Sequence, residues 1–468
     1  MQHYLILALL LLTSFTASAN PTFQHPALAA SPTPEGADVA LYVIDSKTGK
    51  TVYAERADHF QQPASLQKLV TGLAAKLYLP KDFRFETTLE TNKNDVIFRF
   101  SGDPRFTRTH LRTLIDRLKI HTSTITGNLY LNGSAFDDYE RAIGVPWDIM
   151  GVCYSAPSSA LSMNGNCVYG KLSATSEPPI TAVKATASDL VSMDAGNMIL
   201  MEGLNTDNID CEPKLSANDN NEYTVGGCVG THRLPVSFHL AVQNPTELMI
   251  KVLYEELKRA GITLNGAIIR NDLVKGEVIA RHQSDPLPEL VDEMVQKSDN
   301  LIADNLLKTM GRLYFKQPGS FENGAAAVKA ILKEKANVNL ADAVIVDGSG
   351  LSRNNRMTPK HLMQVVQYIF NHPEAGMVET LPVSGVSGTL RWRPSVVNAP
   401  LKGQIAAKTG SLYGVYNLAG RIKTSSGKSL LFVQIISNYH PSSKNRNVAR
   451  KPIRVFERDF YEGLYNKH

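Results

Sequence analysis

The chain has 468 residues, 43% hydrophobic and 20% charged, a composition that excludes disordered and collagen-like chains and leaves room for about three domains. Its 49 Lys and Arg against 44 Asp and Glu give a formal net charge of +5 without a basic tail or stripe. Nucleic-acid binding is therefore not indicated, and the mild positive balance fits an anionic substrate or surface without selecting one.

At the N-terminus, Tyr4 to Leu12 is an apolar run of signal-peptide length, followed by the small-residue site Ala17-Ser18-Ala19. The n-region carries His3 and no Lys or Arg. Residues 1–19 are expected to be a cleaved signal peptide and the mature protein to be soluble and exported, since no later run of about 18 apolar residues appears. No Cys follows the cleavage site to carry a lipid.

After a Pro/Ala-rich leader from Asn20 to Gly36, Val39, Leu41 and Val43 alternate, Ser46-Lys47-Thr48-Gly49 turns, and Val52-Tyr53 resumes, which predicts a β-hairpin. Leu66, Leu69, Val70, Leu73 and Leu77 then recur at helical spacing up to Pro80, predicting an amphipathic helix over 65–79. From about Phe85 to Asp285 short strand-like segments such as Val96 to Phe100 and Leu129 to Leu131 alternate with Gly, Asn and Ser turns, a β-rich texture with helical patches. Helical periodicity returns over Leu287 to Met310 and Met357 to Phe370. Gly403 to Ala407 is strand-like, and Asn417 to Lys423 and Leu430 to Ser437 flank a turn sequence. A last helix puts Ile453, Phe456, Phe460 and Leu464 on one face. Packing against a sheet is the preferred reading of that stripe, and loose association with an anionic membrane surface through Arg454 and Arg458 is the alternative.

The four cysteines, Cys153, Cys167, Cys211 and Cys228, all lie in the β-rich stretch, and an even count in an exported chain favours disulfides. Three pairings are available. Cys153 with Cys167 and Cys211 with Cys228 is favoured because each pair closes a short loop, and no C-x-x-C spacing for metal or redox work is present.

Ser65-Leu66-Gln67-Lys68 places a hydroxyl and an amine three residues apart at a helix start, on one face. Serine becomes a nucleophile when a neighbouring base takes its proton, and lysine can be that base once burial and nearby cations depress its pKa. The string alone is weak, since Ser425-Ser426-Gly427-Lys428 repeats it in a turn and a helix N-cap is the bland reading of Ser65. Ser298-Asp299-Asn300 and Lys408-Thr409-Gly410 complete an ordered set, and Lys408 follows a strand whose edge could present backbone N–H groups to an acyl carbonyl. Each has decoys: Lys47-Thr48-Gly49, which precedes Ser65, and the S-x-N patterns at Ser162 and Ser216. Ser162 lies much nearer Ser65 than Ser298 does, a spacing that suits compact β-lactamases. No H-E-x-x-H, phosphate loop or dinucleotide fingerprint occurs, so neither metal nor cofactor is called for.

The stretches PASLQKLVTG, GDP at Gly102 to Pro104, YSAPSSALSMNGNCV, QKSDNLIADNL, VDGSGLSR, LPVSGVSGTL and AAKTGSLYGVYNLAG resemble the D-alanyl-D-alanine carboxypeptidase/endopeptidase family, the low-molecular-mass class C penicillin-binding proteins, and within it the penicillin-binding protein 4 type. The resemblance covers nearly the whole mature chain. It selects Ser298 over Ser162, and the family's two disulfides match the short-loop pairing. It implies an α/β fold, a β-lactamase/transpeptidase-like domain with an antiparallel sheet covered by helices, discontinuous over 20–84 and 283–468. An inserted β-rich region of two subdomains would occupy 85–282.

The resemblance also implies a serine DD-peptidase acting on peptidoglycan stem peptides and acylated by β-lactams. Ser65 would be the acylated nucleophile and Lys68 its general base. Ser298 would relay a proton to the leaving amine, and Asn300 would hydrogen-bond the substrate and Lys68. Lys408 would supply positive potential and Thr409 would bind the terminal carboxylate, while the N–H groups of Ser65 and Ser411 would form the oxyanion hole. Arg353 would face the substrate side chain. A family carboxylate that holds the diaminopimelate ammonium appears one position early here, as Asp148 in Pro146-Trp147-Asp148-Ile149-Met150, with Tyr154 as a wall of that pocket. The rival readings are a β-lactamase or esterase on the same motifs, and a non-catalytic wall-binding protein.

Overall fold

A computed structural model describes residues 36–137, 139–175, 177, 180–202, 211–440 and 451–468. The expected signal peptide and most of the leader lie outside the described residues.

Five strands form the main sheet: β1 (Asp38–Asp45), β2 (Thr51–Glu55), β3 (Ile405–Leu412), β4 (Val415–Lys423) and β5 (Ser429–Ser437). Their order is β3-β4-β5-β1-β2, every pairing antiparallel, so the first strand of the chain lies beside the last. β1 reads as a continuous apolar run because both of its faces are covered. Val39, Leu41 and Val43 face one cluster and Ala40 and Ile44 the other.

The helices are α1 (Gln67–Tyr78), α2 (Arg108–His121), α3 (Pro245–Ala260), α4 (Leu287–Lys297), α5 (Asn300–Phe315), α6 (Phe321–Ala336), α7 (Pro359–Asn371) and α8 (Lys451–Lys467). On one face of the main sheet, α1 and α4 to α7 share a core with Leu431, Val433 and Ile435. On the other face α8 inserts Ile453, Phe456, Phe460 and Leu464 against Leu41, Val43 and Phe432. The C-terminal stripe thus packs on the sheet. Among the described residues no helix is long and apolar enough to cross a membrane.

Two expectations change. α1 is not amphipathic: every residue from Gln67 to Ala75 is buried, polar ones included, because α4, α5, α6 and α7 all pack around it. The periodicity over Leu287 to Met310 is two helices, since Ser298 adopts a left-handed conformation (φ 61°) and Asp299 caps α5 by accepting the Ile302 N–H at 2.9 Å.

Residues 86–283 form sheets of their own. The largest runs Ile268–Arg270, Leu129–Asn132, Asp95–Arg99, Glu86–Asn92, Glu277–Gln283 in space, mixing parallel and antiparallel pairs. α2 and α3 cover it through Leu111, Ile115, Leu248 and Val252. Disulfides join Cys153 to Cys167 and Cys211 to Cys228.

Candidate active site

Ser65 sits in a tight turn, Ala64–Leu66, that feeds α1. The preceding Ala64 has φ 47°, a left-handed conformation that costs a non-glycine residue about 1 kcal/mol or more and persists only where packing enforces it. Two close approaches supply that packing. A Cβ on Gly350 would lie 1.8 Å from the Ala64 carbonyl oxygen, and one on Gly410 2.8 Å from the Pro63 carbonyl oxygen. Glycine at both positions lets the 347–352 loop and β3 press on the Ser65 turn. Ser65 makes no N-cap hydrogen bond, which removes the bland reading of its hydroxyl.

One turn on, the fully buried Lys68 donates to Ser65 Oγ (3.0 Å), Asn300 Oδ1 (2.6 Å) and the Ser349 carbonyl (2.7 Å), which saturates its three N–H bonds. Burial pushes its pKa down to about 8, opposed by the carboxylates of Asp304, Asp347 and Asp299. Of the two causes expected from the sequence, burial and nearby cations, desolvation is therefore the main one. Asp304 and Asp347 are themselves raised, first by burial. They also build the loop that docks Lys68. Asp304 accepts the Gly348 N–H at 2.9 Å, and Asp347 accepts those of Gly350 (2.7 Å) and Ser352 (2.6 Å).

Asn300 also donates to the Tyr154 carbonyl at 2.6 Å, so the first turn of α5 bridges Lys68 to the inserted region. The Cys153–Cys167 disulfide anchors that segment to the strand Cys167–Ala174. Ser298 Oγ accepts a hydrogen bond from Lys408 Nζ at 2.9 Å. Lys408 is fully buried, bonds otherwise to the Thr409 carbonyl (2.9 Å), and lies well below the usual lysine range through desolvation first, then repulsion by Lys68 and Arg393. The lysine triplet lies inside β3 rather than after it. β3 is an edge strand of the sheet, so one side of it is open to the cleft.

A cleft of about 440 Å³ opens over these groups, lined by Ser65, Ser298, Thr409 and Ser411 together with Thr389, Trp392, Arg393 and Tyr416. Thr409 donates to Thr389 Oγ1 at 2.8 Å. Arg393 stacks on the Tyr416 ring at 4.0 Å and forms a buried two-pronged ion pair with Glu457 of α8, whose carboxylate also accepts from Gln434 (2.7 Å). Sequence reasoning missed Thr389, Asp304, Asp347 and the Arg393–Glu457 pair. Asp304, Asp347 and Thr389 lie inside the stretches QKSDNLIADNL, VDGSGLSR and LPVSGVSGTL that carry the resemblance, whereas the Arg393–Glu457 pair left no such signal.

The remaining expected residues sit at the margin. Arg353 donates from Nη1 to the carbonyl of Tyr413, in the β3–β4 turn, at 3.2 Å, and does not line the cleft just described. Asp148 is exposed and Tyr154 is 55% exposed. They lie close enough that Asp148 adds to the burial that raises the Tyr154 phenol. Neither lines the cleft. The decoys fall away: Ser162 is buried and donates to the Ser159 carbonyl, Ser216 is on an exposed strand position, and Lys47 and Ser425 lie in hairpin turns. Among the described residues no group of three His, Cys, Asp or Glu side chains could hold a metal ion.

Residues 25–460 match the profile of the D-Ala-D-Ala carboxypeptidase 3 (S13) family. D-alanyl-D-alanine carboxypeptidase DacB of Haemophilus influenzae is 34% identical over 443 residues, 92% of each chain. A D-alanyl-D-alanine carboxypeptidase of Actinomadura sp. is 28% identical over 92% of this chain and 82% of its own. The crystal structure of penicillin binding protein 4 (dacB) from H. influenzae superposes with a TM-score of 0.84 at 33% identity, covering 93% of this chain and 98% of that one.

Proposed function

This chain belongs to the D-Ala-D-Ala carboxypeptidase 3 (S13) family, and on that premise we propose how its residues carry out serine D-Ala-D-Ala carboxypeptidase chemistry. The observation that carries the proposal is the pair of buried lysines, each hydrogen-bonded to one serine of the same cleft: Lys68 to Ser65 at 3.0 Å and Lys408 to Ser298 at 2.9 Å.

Ser65 is the nucleophile. Lys68, in its neutral form, takes the Oγ proton as Oγ attacks the penultimate D-Ala carbonyl of a peptidoglycan stem. With an ordinary pKa near 10.4 it would be almost wholly protonated at pH 7, whereas near 8 roughly a tenth of it is free base. The N–H groups of Ser65 and Ser411 stabilise the oxyanion, a contribution confined to the tetrahedral state. Ser298, held by Lys408, passes a proton to the departing D-alanine nitrogen. The acyl bond to Ser65 is then hydrolysed by water, with Lys68 acting as base again.

Thr409, with Thr389 behind it, receives the substrate's terminal carboxylate. Lys408 has no carboxylate partner of its own among the described residues, so the arriving anion supplies the counter-charge that its pocket lacks. Asn300 orients both Lys68 and the substrate amide. Asp148, Tyr154 and Arg353 form the rim that meets the stem's side chain, and the carbonyl of Ile149 accepts from Ser155 Oγ at 2.5 Å.

The same steps applied to a D-Ala–diaminopimelate cross-link make the protein a DD-endopeptidase as well. β-Lactams acylate Ser65. Export by a signal peptide over 1–19 places the enzyme in the periplasm, with residues 20–84 and 283–468 as one catalytic domain interrupted by 85–282. A fluorescent penicillin tests the nucleophile: wild type is expected to label covalently and Ser65→Ala not to, and equal labelling would overturn the assignment. Digestion of purified muropeptides gives the substrate, since a carboxypeptidase removes the mass of one alanine while an endopeptidase splits dimers. A wall-binding protein leaves every mass unchanged.

A further inference from the structure

The wall of the cleft beside Thr409 is built by a short 3-10 turn, Gly388–Leu390, and the residues that follow it. Its ends are fixed. Thr389 is bonded to Thr409, Leu390 is fully buried in the core that α8 shares with the sheet, and the buried Arg393 is paired with Glu457. Between Leu390 and Arg393, Trp392 lines the cleft yet is 79% exposed. Arg391, which donates to the Val386 carbonyl at 3.2 Å, sets its guanidinium 5.9 Å from the centre of the Trp392 ring.

A single exposed apolar side chain is ordinary on a protein surface. Trp392 differs in its setting. Its backbone is held on both sides by buried groups, so its place relative to Thr409 is constant, and an aromatic ring already in position loses little freedom when a ligand covers it. The function proposed above gives this wall a direction. With the carboxylate of the departing residue held at Thr409 and Thr389, the wall that continues from Thr389 lies on the leaving-group side, and Trp392 is roughly 6 Å farther along the turn. A departing alanine ends in a methyl group beside that carboxylate and has nothing to lay on the indole. A departing diaminopimelate carries a polymethylene chain and a whole second stem from the same carbon, and these run out of the cleft past Trp392.

We propose that Trp392 selects cross-linked substrate, its indole packing against the polymethylene chain and the second stem that leave with a D-Ala–diaminopimelate cross-link. This rests on the reading of Thr409 and Thr389 as the seat of the leaving residue's carboxylate. Apolar methylenes on an aromatic face are the contact that this side chain offers, and covering part of one indole face is enough for about a tenfold difference between the two substrates.

In the test, the full chain, as wild type and as Trp392→Ala, is given muropeptide monomers ending in D-Ala-D-Ala and cross-linked dimers, and D-alanine release and dimer cleavage are measured separately. The expected result is a fall of about tenfold in the dimer-to-monomer ratio of kcat/KM, carried mainly by KM, with Trp392→Phe closer to wild type than Trp392→Ala. A direct readout comes from protein carrying both Ser65→Ala and Trp147→Phe, in which Trp392 is the sole tryptophan. The dimer should shift its emission to the blue in a saturable way and the monomer should not, a result that does not depend on how well Trp392→Ala folds. A ratio that stays at the wild-type value, a wild type that releases D-alanine but splits no dimers, or an emission that both ligands shift alike would overturn the proposal and leave the carboxypeptidase reading in place. A wild type that releases no D-alanine would remove that reading, and the proposal with it.

Discussion

Lys68 and Lys408 are both fully enclosed, yet the two ends of the cleft treat their ammonium groups differently. At the α1 end three carboxylates, Asp304, Asp347 and Asp299, oppose the desolvation of Lys68, which settles near 8. At the β3 end the charges that act on Lys408 are those of two cations, Lys68 and Arg393, and its pKa falls well below the usual lysine range. Burial is common to both, so the difference lies in the counter-charge. One lysine is poised to exchange a proton in the working pH range. The other sits in a pocket short of negative charge.

Substitutions can break this contrast at four depths. The deepest is Ser65→Ala, which removes the atom that Lys68 serves. Covalent penicillin labelling is expected to vanish, a loss of about 10⁴-fold or more in acylation rate measured by stopped flow. Next is Glu457→Gln, which leaves Arg393 buried without its carboxylate and adds unshielded charge beside Lys408. Urea denaturation should show a loss of about 3–5 kcal/mol, as for other broken buried pairs.

Lys408→Met keeps the volume of the side chain and takes away the donor to Ser298. kcat/KM on a D-Ala-D-Ala peptide should fall about 100-fold with the fold unchanged by circular dichroism. A rate near wild type would mean that the β3 end contributes packing alone. The smallest effect is expected from Asp304→Asn, which keeps an oxygen to accept the Gly348 N–H at 2.9 Å but cannot become a carboxylate. Asp304 raises Lys68 only as a carboxylate, and burial lifts its own pKa to about 8, so its loss lowers Lys68 chiefly near and above pH 8. The limb of the kcat/KM profile that reports Lys68 should move toward acid by about half a pH unit or less. A stationary limb would mean that the Asp304 carboxylate does not govern the contrast.

Much of this site could be read from local pattern. A three-residue spacing at a helix start is enough to put Ser65 and Lys68 on one face, and the hairpins at both ends of the chain announced themselves by alternation and turn residues. What escaped was polar chemistry hidden inside apolar periodicity. Asp304, Asn305 and Lys308 occupy positions that read as the solvated face of a surface helix, yet they are buried because α5 is packed on several sides. The break at Ser298 escaped too, since hydrophobic spacing resumes in phase beyond it and nothing but the cap at Asp299 marks the end of one helix. Arg393 and Glu457 carry no local signal of pairing, because the loop beneath the cleft and α8 meet only after the sheet forms.

By itself the sequence determined the inventory: a serine and a lysine one helical turn apart, a second serine and an asparagine opening a later helix, a lysine and a threonine on a strand, and the order in which they occur. By pattern alone it could not choose between Ser298 and Ser162, since both open an S-x-N string, whereas motif order and a turn setting already set Lys47 aside in favour of Lys408. The tertiary structure decided which copies face one cleft, by laying β3 and α5 against the turn at Ser65 while Ser162 went into the core and Lys47 into solvent. It also decided the protonation of the two lysines. An amine's pKa depends on the water it loses and the charges it meets, and for Lys68 and Lys408 those charges arrive from segments up to hundreds of residues away.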